Sequence, residues 1–367
     1  MTGGQAMGQQ RGFWDLEDHY AKLSETGDPL ETLAAAVSFE PFRYRLEKAL
    51  KRTDGSKGGR PPYDRVLMFK ILILQALYGL SDEQAEFQIR DRLSFLRFLG
   101  LSPSDRTPDS TTIWLFREQL TQATAVEKLF KLFDQRLREG GYLAKSGQIL
   151  DASLIPAPRH HLSSDEKAAI KEGQTADEIW PDEPRKAAQK DTQARWTVKT
   201  SRSAPPSEGE KAKPGLAIPV FGYKNHIGID RENGLIRTWL VTDAAAHDGA
   251  RLREGLVDRD NTASDVWADS AYRSAANEAF LEDIGKRSQI HRRKPKGKAM
   301  PQNTARANGR KSKIRSKVEH VFAHQKQRMG MVIRTIGLDR AKTKIGLVNL
   351  AYNMRRIVTL NSRSVPA

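Results

Sequence analysis

Two aspartates interrupt apolar runs that are otherwise typical of buried β-strands. Asp151 lies within QILDASLI, residues 148–155, and Asp269 lies within SDVWADSAYRS, residues 264–274. A lone ionised carboxylate in such a strand is costly unless a cation meets it. If the two strands are neighbours, both carboxylates project from the same edge of the sheet, where they ionise together only with a cation between them. Taken singly, each aspartate is also typical of a turn or a helix cap, so the prediction depends on their matched contexts.

The available ligand types indicate which cation this is. The chain contains no cysteine and no obvious histidine pair, and ligation by oxygen alone favours a hard ion, Mg²⁺ or Mn²⁺. A third acid is expected on the predicted helix IRSKVEHVFAHQK, residues 314–326. At ~100° per residue, Arg315, Glu319 and Lys326 form a single polar line on that helix, beside an apolar side that would pack on the sheet.

Two alternatives to Glu319 as a metal ligand remain open. A plain ion pair between Arg315 and Glu319 explains those two residues but leaves Lys326 unused. Acids on a predicted helix near Asp269 could also serve as the third ligand: Glu278, Glu282 and Asp283.

The positive charge of the chain is concentrated in one segment. Of a net charge of +16, the stretch from Lys286 to Arg328 supplies most, because Glu319 is its only acid. A block of this kind that also contains an apolar helix pattern favours a polyanion partner, most commonly nucleic acid. No apolar run approaches the ~20 residues of a membrane span, and the absence of cysteine fits a reducing compartment. We therefore expect a cytoplasmic, nucleoid-associated protein with no membrane partner.

The sequence divides into three parts. Residues 1–27 are a leader or a possible tag, since MTGGQAMGQQRG lacks the basic end and apolar stretch of a signal peptide. Residues 28–142 predict a compact helical domain of helix-turn-helix style, with a capping box at Ser81 and Gln84 and a later cap at Asp109 or Ser110. Residues 143–360 predict an α/β domain around a mixed sheet, with a polar, partly disordered insertion at 160–215. No glycine-rich phosphate loop follows any predicted strand.

The motifs resemble those of a known enzyme family. The series LDASL, WADSAY and R-x-x-x-E-x-x-x-x-x-x-K is similar to the DDE transposases of bacterial insertion sequences, in the large group related to insertion sequence five. Further similar segments are GGRPPYD, FGYKNHIGID, LVTDAAAHDG and TKIGLVNLAYNMRR, so the resemblance spans roughly residues 28–360. One departure is Ser312, where the family's signature has a tyrosine three residues before the arginine, and this argues against a stacking role there.

The resemblance implies a fold and a mechanism. The fold is an RNase-H-like mixed sheet flanked by helices and preceded by a helical DNA-binding domain, and the catalytic acids correspond to Asp151, Asp269 and Glu319. Two Mg²⁺ or Mn²⁺ ions about 4 Å apart would be bridged by Asp151, with Asp269 on one and Glu319 on the other. A water would attack a phosphodiester at the end of the element, and the freed 3′-OH would then attack target DNA.

Several further residues are expected near double-stranded DNA. Arg315 and Lys326 are predicted to clamp phosphates near the scissile bond, and an exposed Arg117 is predicted on a reader helix around 111–124. His247 could approach the catalytic acids, whereas Asp248 more simply caps a helix. Assembly on paired ends implies at least a homodimer on DNA. The remaining predicted DNA-contacting residues are Arg60, Arg292, Arg293, Lys294, Lys311, Lys313 and Lys317.

Two other functions remain open from the sequence alone. A metal-dependent nuclease on the same fold would cut DNA without joining it, and it would not need the helical domain or so broad a basic surface. A non-catalytic DNA-binding protein derived from a transposase would use its acids only as caps. The presence of all three acids together with Lys326 argues against the second alternative.

Overall fold

One mixed β-sheet forms the framework of the C-terminal half. The computed structural model describes residues 14–50, 61–200 and 215–364. Within these residues the sheet has the order β2-β3-β1-β5-β6, and β4 pairs with β3 off that path. β1 is antiparallel to β3 and parallel to β5. The strands are β1 (Gln148–Pro156), β2 (Arg195–Thr200), β3 (Ala217–Asp230), β4 (Ile236–Asp243), β5 (Asp265–Trp267) and β6 (Arg287–Ser288).

Helices precede the sheet and flank it, which confirms the predicted fold class. Eight lie before the first strand among the described residues: α1 (Trp14–Glu25), α2 (Pro29–Ala36), α3 (Arg43–Ala49), α4 (Arg65–Tyr78), α5 (Asp82–Asp91), α6 (Leu93–Leu99), α7 (Ser110–Gln122) and α8 (Ala125–Glu139). The later helices are α9 (Ser164–Glu172), α10 (Ala176–Ile179), α11 (Pro184–Gln189), α12 (Asp248–Arg251), α13 (Ala275–Asp283), α14 (Gln302–Arg315), α15 (Lys317–Ala323) and α16 (Leu338–Ser364). In the part of the chain that is described, no helix is both long and apolar enough to cross a membrane.

Local capping signals set the helix ends in the N-terminal part. The predicted capping box is present, since Ser81 Oγ accepts from the Gln84 backbone N–H and Gln84 Oε1 accepts from the Ser81 N–H. Asp109, rather than Ser110, caps α7 by accepting from the Thr112 N–H at 2.7 Å. Such caps satisfy backbone donors that have no partner within the helix.

A single apolar core joins the helical segment to the sheet. The long helix α16 packs against α2, α4, α7 and α8 on one side and against β3 and β4 on the other. Buried residues of one continuous cluster therefore include Phe69 and Ile113 from the N-terminal helices together with Ile227 and Ile345. The division into domains at residues 142 and 143 stays a prediction, but the packing across it is continuous.

The polar insertion contains more structure than the sequence predicted. Residues 160–200 form α9, α10, α11 and β2, whereas residues 201–214 lie outside the described part. Ile170, Trp180 and Ala187 are buried, and Trp180 Nε1 donates to Glu166 Oε1 at 2.8 Å. A few apolar side chains and local capping boxes hold these short helices, and the partial disorder expected over residues 160–215 stays a prediction.

The predicted helix over residues 314–326 is interrupted twice. α14 ends at Arg315 and α15 begins at Lys317, while the Ser316 hydroxyl donates to the Lys313 carbonyl at 2.9 Å. Such a local side-chain bond competes with regular helix geometry. After Ala323 the chain continues as one π-helical turn, His324–Arg328, and such turns are frequent at functional sites. The apolar side of α15 packs as predicted, with Val318, Val321 and Phe322 buried.

A buried set of three amides fixes this π turn to the sheet. Asn225 on β3, Gln325 in the turn and Asn349 on α16 are all fully buried. Asn349 Oδ1 accepts from Asn225 Nδ2 at 2.9 Å and from Gln325 Nε2 at 2.8 Å, and Asn349 Nδ2 donates to Asn225 Oδ1 at 3.2 Å. Because buried amides are costly without partners, the network fixes one relative position of the turn, β3 and α16.

Replacing Asn349 with leucine is expected to lower the free energy of unfolding by about 3 kcal/mol, since the amides of Asn225 and Gln325 lose their shared partner in the core. Urea denaturation followed by far-UV circular dichroism measures this change. Arg355→Ala, an exposed position on the same helix, is the matched control and is expected to change stability by less than about 0.5 kcal/mol. An Asn349→Leu protein as stable as the control would contradict the role of the network.

Candidate active site

The two strand aspartates lie at matching positions on adjacent strands. β1 runs parallel to β5, with Gln148 opposite Val266 and Ile149 opposite Trp267. Asp151 follows Ile149 by two residues, and Asp269 follows Trp267 by two residues, so both aspartates lie at the same edge of the sheet. Asp269 has already left its strand, and its Oδ1 accepts from the Ala271 N–H at 2.8 Å, which caps the short 3₁₀ turn Ser270–Tyr272. The predicted adjacency of the two strands is thus what the structure shows.

The carboxylate of Asp151 is largely buried and pairs with a cation. Its side chain is 16% exposed, and Oδ2 lies 2.5 Å from Arg315 Nη1. Burial is the main cause that raises the pKa of the Asp151 carboxyl to about 7; the charge of Arg315 opposes it, and the charges of Asp269 and Asp248 add to it. Asp151 Oδ1 accepts only the N–H of the next residue, Ala152, at 2.9 Å. The carboxylate therefore depends on positive charge beside it.

Arg315 connects Asp151 with the third predicted acid. Its other guanidinium nitrogen, Nη2, lies 3.3 Å from Glu319 Oε1, and the Glu319 side chain is 62% exposed. Glu319 thus reaches the same cation as Asp151 from the neighbouring helix. The simple Arg315–Glu319 ion pair considered from the sequence is present, but its arginine also binds Asp151. Glu278 was one of the alternatives to Glu319 as the third acid, and its carboxylate accepts a hydrogen bond from the Ser288 hydroxyl at 2.9 Å.

Lys326 and Glu319 lie in different kinds of helix. The prediction assumed a uniform α-helix, whereas Lys326 lies in the π turn, where the rotation per residue differs. Lys326 is exposed. Desolvation lowers the pKa of its ammonium, and the charge of Lys199 lowers it further. Lys326 and Lys199 therefore share one basic surface beside β2.

The donor set suits a hard divalent ion, but the side chains are not gathered around one. Among the described residues, no group of three His, Cys, Asp or Glu side chains is placed to hold a metal ion. Asp151 and Asp269 provide oxygen donors of the kind that Mg²⁺ and Mn²⁺ prefer. In this arrangement the Arg315 guanidinium supplies the positive charge beside Asp151.

His247 and Asp248 take each other's predicted roles: His247 caps the helix, and Asp248 acts on the acids through its charge. His247 caps α12, because its Nδ1 accepts from the Gly249 N–H at 3.1 Å. Asp248 does not cap that helix as predicted but accepts from Lys224 Nζ at 2.8 Å, and its charge raises the pKa of the Asp151 carboxyl. The prediction was wrong because a histidine can accept at a cap position when a neighbouring lysine engages the aspartate.

Two further residues near the acids were missed in the sequence. The Tyr272 hydroxyl is buried and has no hydrogen-bond partner among the described residues. Burial raises the pKa of Tyr272, and the charges of Asp151, Asp248 and Asp269 raise it further. His291 lies near Asp269 and Arg315, and burial followed by the charge of Arg315 lowers its pKa. WADSAY already contained the tyrosine three residues after Asp269, which is the signal that could have found it.

The basic helix α14 packs across β1 and β5 near these acids. Arg293 Nε donates to the Ser270 carbonyl at 2.9 Å, which braces the turn after Asp269. Lys311 and Lys317 each donate to a backbone carbonyl, of Ile290 and Arg231. The side chains that extend into solvent are Arg292, Lys294 and Lys313. The basic residues named from the sequence thus divide into some that brace the fold and some that are fully exposed.

Arg117 on α7 is not the exposed residue that the sequence predicted. Its side chain is 18% exposed and forms two bonds of 2.7 Å to the Asp82 carboxylate. The prediction of an exposed Arg117 could not include the packing of α5 against α7, which brings Asp82 to it. The exposed apolar residues of the same helix are Trp114 and Leu115. Arg60 lies outside the described residues.

Comparison with known families covers nearly the whole described chain. A family described as Transposase domain (DUF772) matches residues 17–119. A second, described as Transposase DDE domain, matches residues 142–354, which is more than half of the chain. No solved structure matches the chain. The match over residues 142–354 contains both strand aspartates, Arg315 and Glu319, and on this basis the chain belongs to the DDE transposases, metal-dependent polynucleotidyl transferases that act on DNA.

Proposed function

We propose that this protein is an insertion-sequence transposase that binds terminal inverted repeats, cleaves phosphodiester bonds at them and joins the 3′-OH ends to target DNA. The observation that carries the proposal is the juxtaposition of Asp151 and Asp269 at one sheet edge, with the basic helix α14 packed across the same two strands. A polyanionic substrate is attracted by such a helix, and the acids beside it suit metal-assisted phosphoryl transfer.

Asp151, Asp269 and Glu319 are the proposed ligands of two divalent ions. Mg²⁺ or Mn²⁺, when bound, would activate a water for attack and stabilise the departing 3′ oxygen. Arg315 neutralises Asp151 in their absence, and on substrate binding its guanidinium would be free to hold a phosphate. The Tyr272 hydroxyl is a buried donor that has no partner among the described residues and is close enough to the acids to feel their charges, and Arg293 holds the turn that follows Asp269.

The DNA duplex is proposed to follow the exposed bases of α14 and the preceding loop, Arg292, Lys294 and Lys313, while Lys311 and Lys317 support this surface. Lys326, together with Lys199 of β2, would contact the DNA backbone where the duplex passes β2. Recognition of the end sequence is assigned to the N-terminal helices, with Arg60 and Arg117 as candidate residues. Pairing of two transposon ends requires at least a homodimer on DNA.

The catalytic assignment predicts that Asp151→Asn, Asp269→Asn and Glu319→Gln each lose roughly a thousandfold in cleavage rate, about 4 kcal/mol of transition-state stabilisation. The assay incubates the protein with labelled DNA carrying the ends of its element and Mg²⁺ or Mn²⁺, and separates cleaved from joined products. Binding of the ends should change by no more than a few-fold.

Asp265→Asn is the matched control for this assay, since Asp265 begins β5 and pairs with the exposed Arg287 at 2.5 Å. It should retain wild-type cleavage. Cleavage without joining by the wild-type protein would instead establish a metal-dependent nuclease. Binding without any reaction would establish a non-catalytic DNA-binding protein.

If Arg315 occupies the place of a metal ion beside Asp151, Arg315→Gln should bind Mn²⁺ about tenfold more tightly than the wild-type protein in the absence of DNA. Glutamine keeps a donor for the Asp151 carboxylate but removes the competing charge. Titration calorimetry with Mn²⁺ measures the affinity, and Asp151→Asn should abolish it. Arg287→Gln serves as the control, and equal affinities of Arg315→Gln and wild type would rule out the competition.

A further inference from the structure

A cavity separate from the acids lies between the N-terminal helices and the segment that leads into α16. Its volume is about 400 Å³, and Asp151, Asp269 and Glu319 are not among its lining residues. The lining comes from the turn between α4 and α5, from α7, and from residues 330–344. The residues that matter most for its chemistry are Asp82, Trp114, Arg117, Arg334, Thr335 and Lys344.

Two hydrogen-bond donors in this cavity have no acceptor. The Thr335 hydroxyl is buried and makes no hydrogen bond to any described residue. Within the same described ranges, Lys344 forms no ion pair, although it lies in the first turns of α16 where Asp82 is the nearest acid that affects it. Desolvation, together with the charges of Arg117 and Arg334 and against that of Asp82, lowers the pKa of the Lys344 ammonium to about 8. A buried donor and a desolvated cation without partners are costly unless a ligand meets them.

Two of the three acids that line the cavity pair with arginines of the same lining. Asp82 accepts two bonds of 2.7 Å from Arg117. Glu118 pairs with Arg340 at 2.8 Å and 3.0 Å. The third, Glu83, is exposed in the first turn of α5. Among the described residues, Lys344 and Arg334 are thus the lining cations without an ion pair, and with the exposed Glu83 counted the lining keeps an excess of one positive charge.

An aromatic side chain lines the same cavity. Trp114 on α7 is 44% exposed although it is a large apolar residue. An exposed indole beside cations can stack on a nucleobase or cover a sugar, as aromatic residues do in proteins that bind single strands. A volume of about 400 Å³ lies within the range of small-molecule sites. The combination of a cationic end and an aromatic wall matches one nucleotide.

Two glycines allow two backbone segments beside the cavity to approach each other closely. Gly79 has φ +66° and Gly330 has φ +56°, and a Cβ on Gly79 would lie 3.0 Å from the Met329 carbonyl oxygen. These two glycines let the α4–α5 turn and the 330–337 loop pack together at one side of the cavity. The same loop is tied to the sheet, because the Ile333 N–H donates to the carbonyl of Pro156 at the end of β1 at 3.0 Å. The cavity is therefore held by fixed elements on both sides.

We propose that this cavity binds a phosphate group carried on a nucleotide, with Lys344 and Thr335 as donors to the phosphate, Arg334 as a second cation and Trp114 against the base or sugar. The nucleotide is either a unit of a DNA strand or a free mononucleotide, since both present the same phosphate. The proposal does not rest on the catalytic roles of Asp151, Asp269 and Glu319.

The test measures binding of 5′-dAMP and of a single-stranded dT octanucleotide to the full-length protein by titration calorimetry and tryptophan fluorescence. Lys344→Met keeps the apolar stem and removes the charge, and it is expected to weaken binding at least tenfold. Thr335→Val is expected to weaken it a few-fold. Lys342→Met, on the same helix but outside the lining of this cavity, should stay within twofold of wild type. The fluorescence change should be lost in Trp114→Phe.

The two ligands distinguish the sources of the phosphate. Lys344-dependent binding of 5′-dAMP identifies a free-nucleotide site, and Lys344-dependent binding of the octanucleotide alone identifies a DNA contact. The midpoint of thermal unfolding of Lys344→Met should equal or exceed that of wild type, because a desolvated, unpaired ammonium is removed. If neither ligand binds, or if Lys344→Met binds both as wild type does, the proposal is overturned. These outcomes do not depend on cleavage, so its failure is separate from failure of the transposase assignment.

Discussion

The ion pair between Asp151 and Arg315 is the interaction on which the arrangement of the active site depends. A carboxylate within a central strand raises the free energy of the folded chain unless a cation compensates it, and here the cation comes from the end of α14. The pair therefore does two things at once. It allows an acid in the middle of the sheet, and it fixes the basic helix across β1 and β5. Because the same guanidinium reaches Glu319, the third acid is also held near the sheet edge.

A guanidinium and a divalent ion satisfy carboxylates differently. Arg315 carries one positive charge in a plane, and it engages Asp151 and Glu319 through separate nitrogens. The charge of Asp269 still raises the pKa of the Asp151 carboxyl, so one cation leaves part of the repulsion between the strand acids in place. A divalent ion has the charge to balance two carboxylates and accepts oxygen ligands from several directions. The residual repulsion is thus a physical reason for the site to favour an ion of higher charge.

The sequence predicted the sheet edge better than the helix that faces it. Asp151 and Asp269 were found because strand alternation and matched contexts depend only on local pattern, and parallel neighbours bring such positions together. The predicted line from Arg315 to Lys326 assumed one uniform α-helix, and this assumption was wrong, because a break at Ser316 and a π turn at His324 alter the helix without any change in hydrophobic period. The exposure of Arg117 was wrong for a related reason: its partner Asp82 is distant in sequence, and only tertiary packing brings α5 against α7. Tyr272 and the unpaired Lys344 depend on burial, which pattern alone does not give.

The buried amide network holds the π turn after α15 in position without placing another charged side chain near the candidate active site. Gln325 lies in the π turn that follows α15, and its partners Asn225 and Asn349 lie on β3 and α16. Neutral amides form hydrogen bonds in fixed directions and place no charged group near the acids. An ion pair in the same place would introduce two charged groups. Asn349 lies on the same helix as Lys344, so α16 carries both the amide that fixes the π turn and the lysine of the proposed nucleotide cavity. One rigid helix therefore spans the two regions, and a ligand that bound Lys344 would bind the element that positions Gln325.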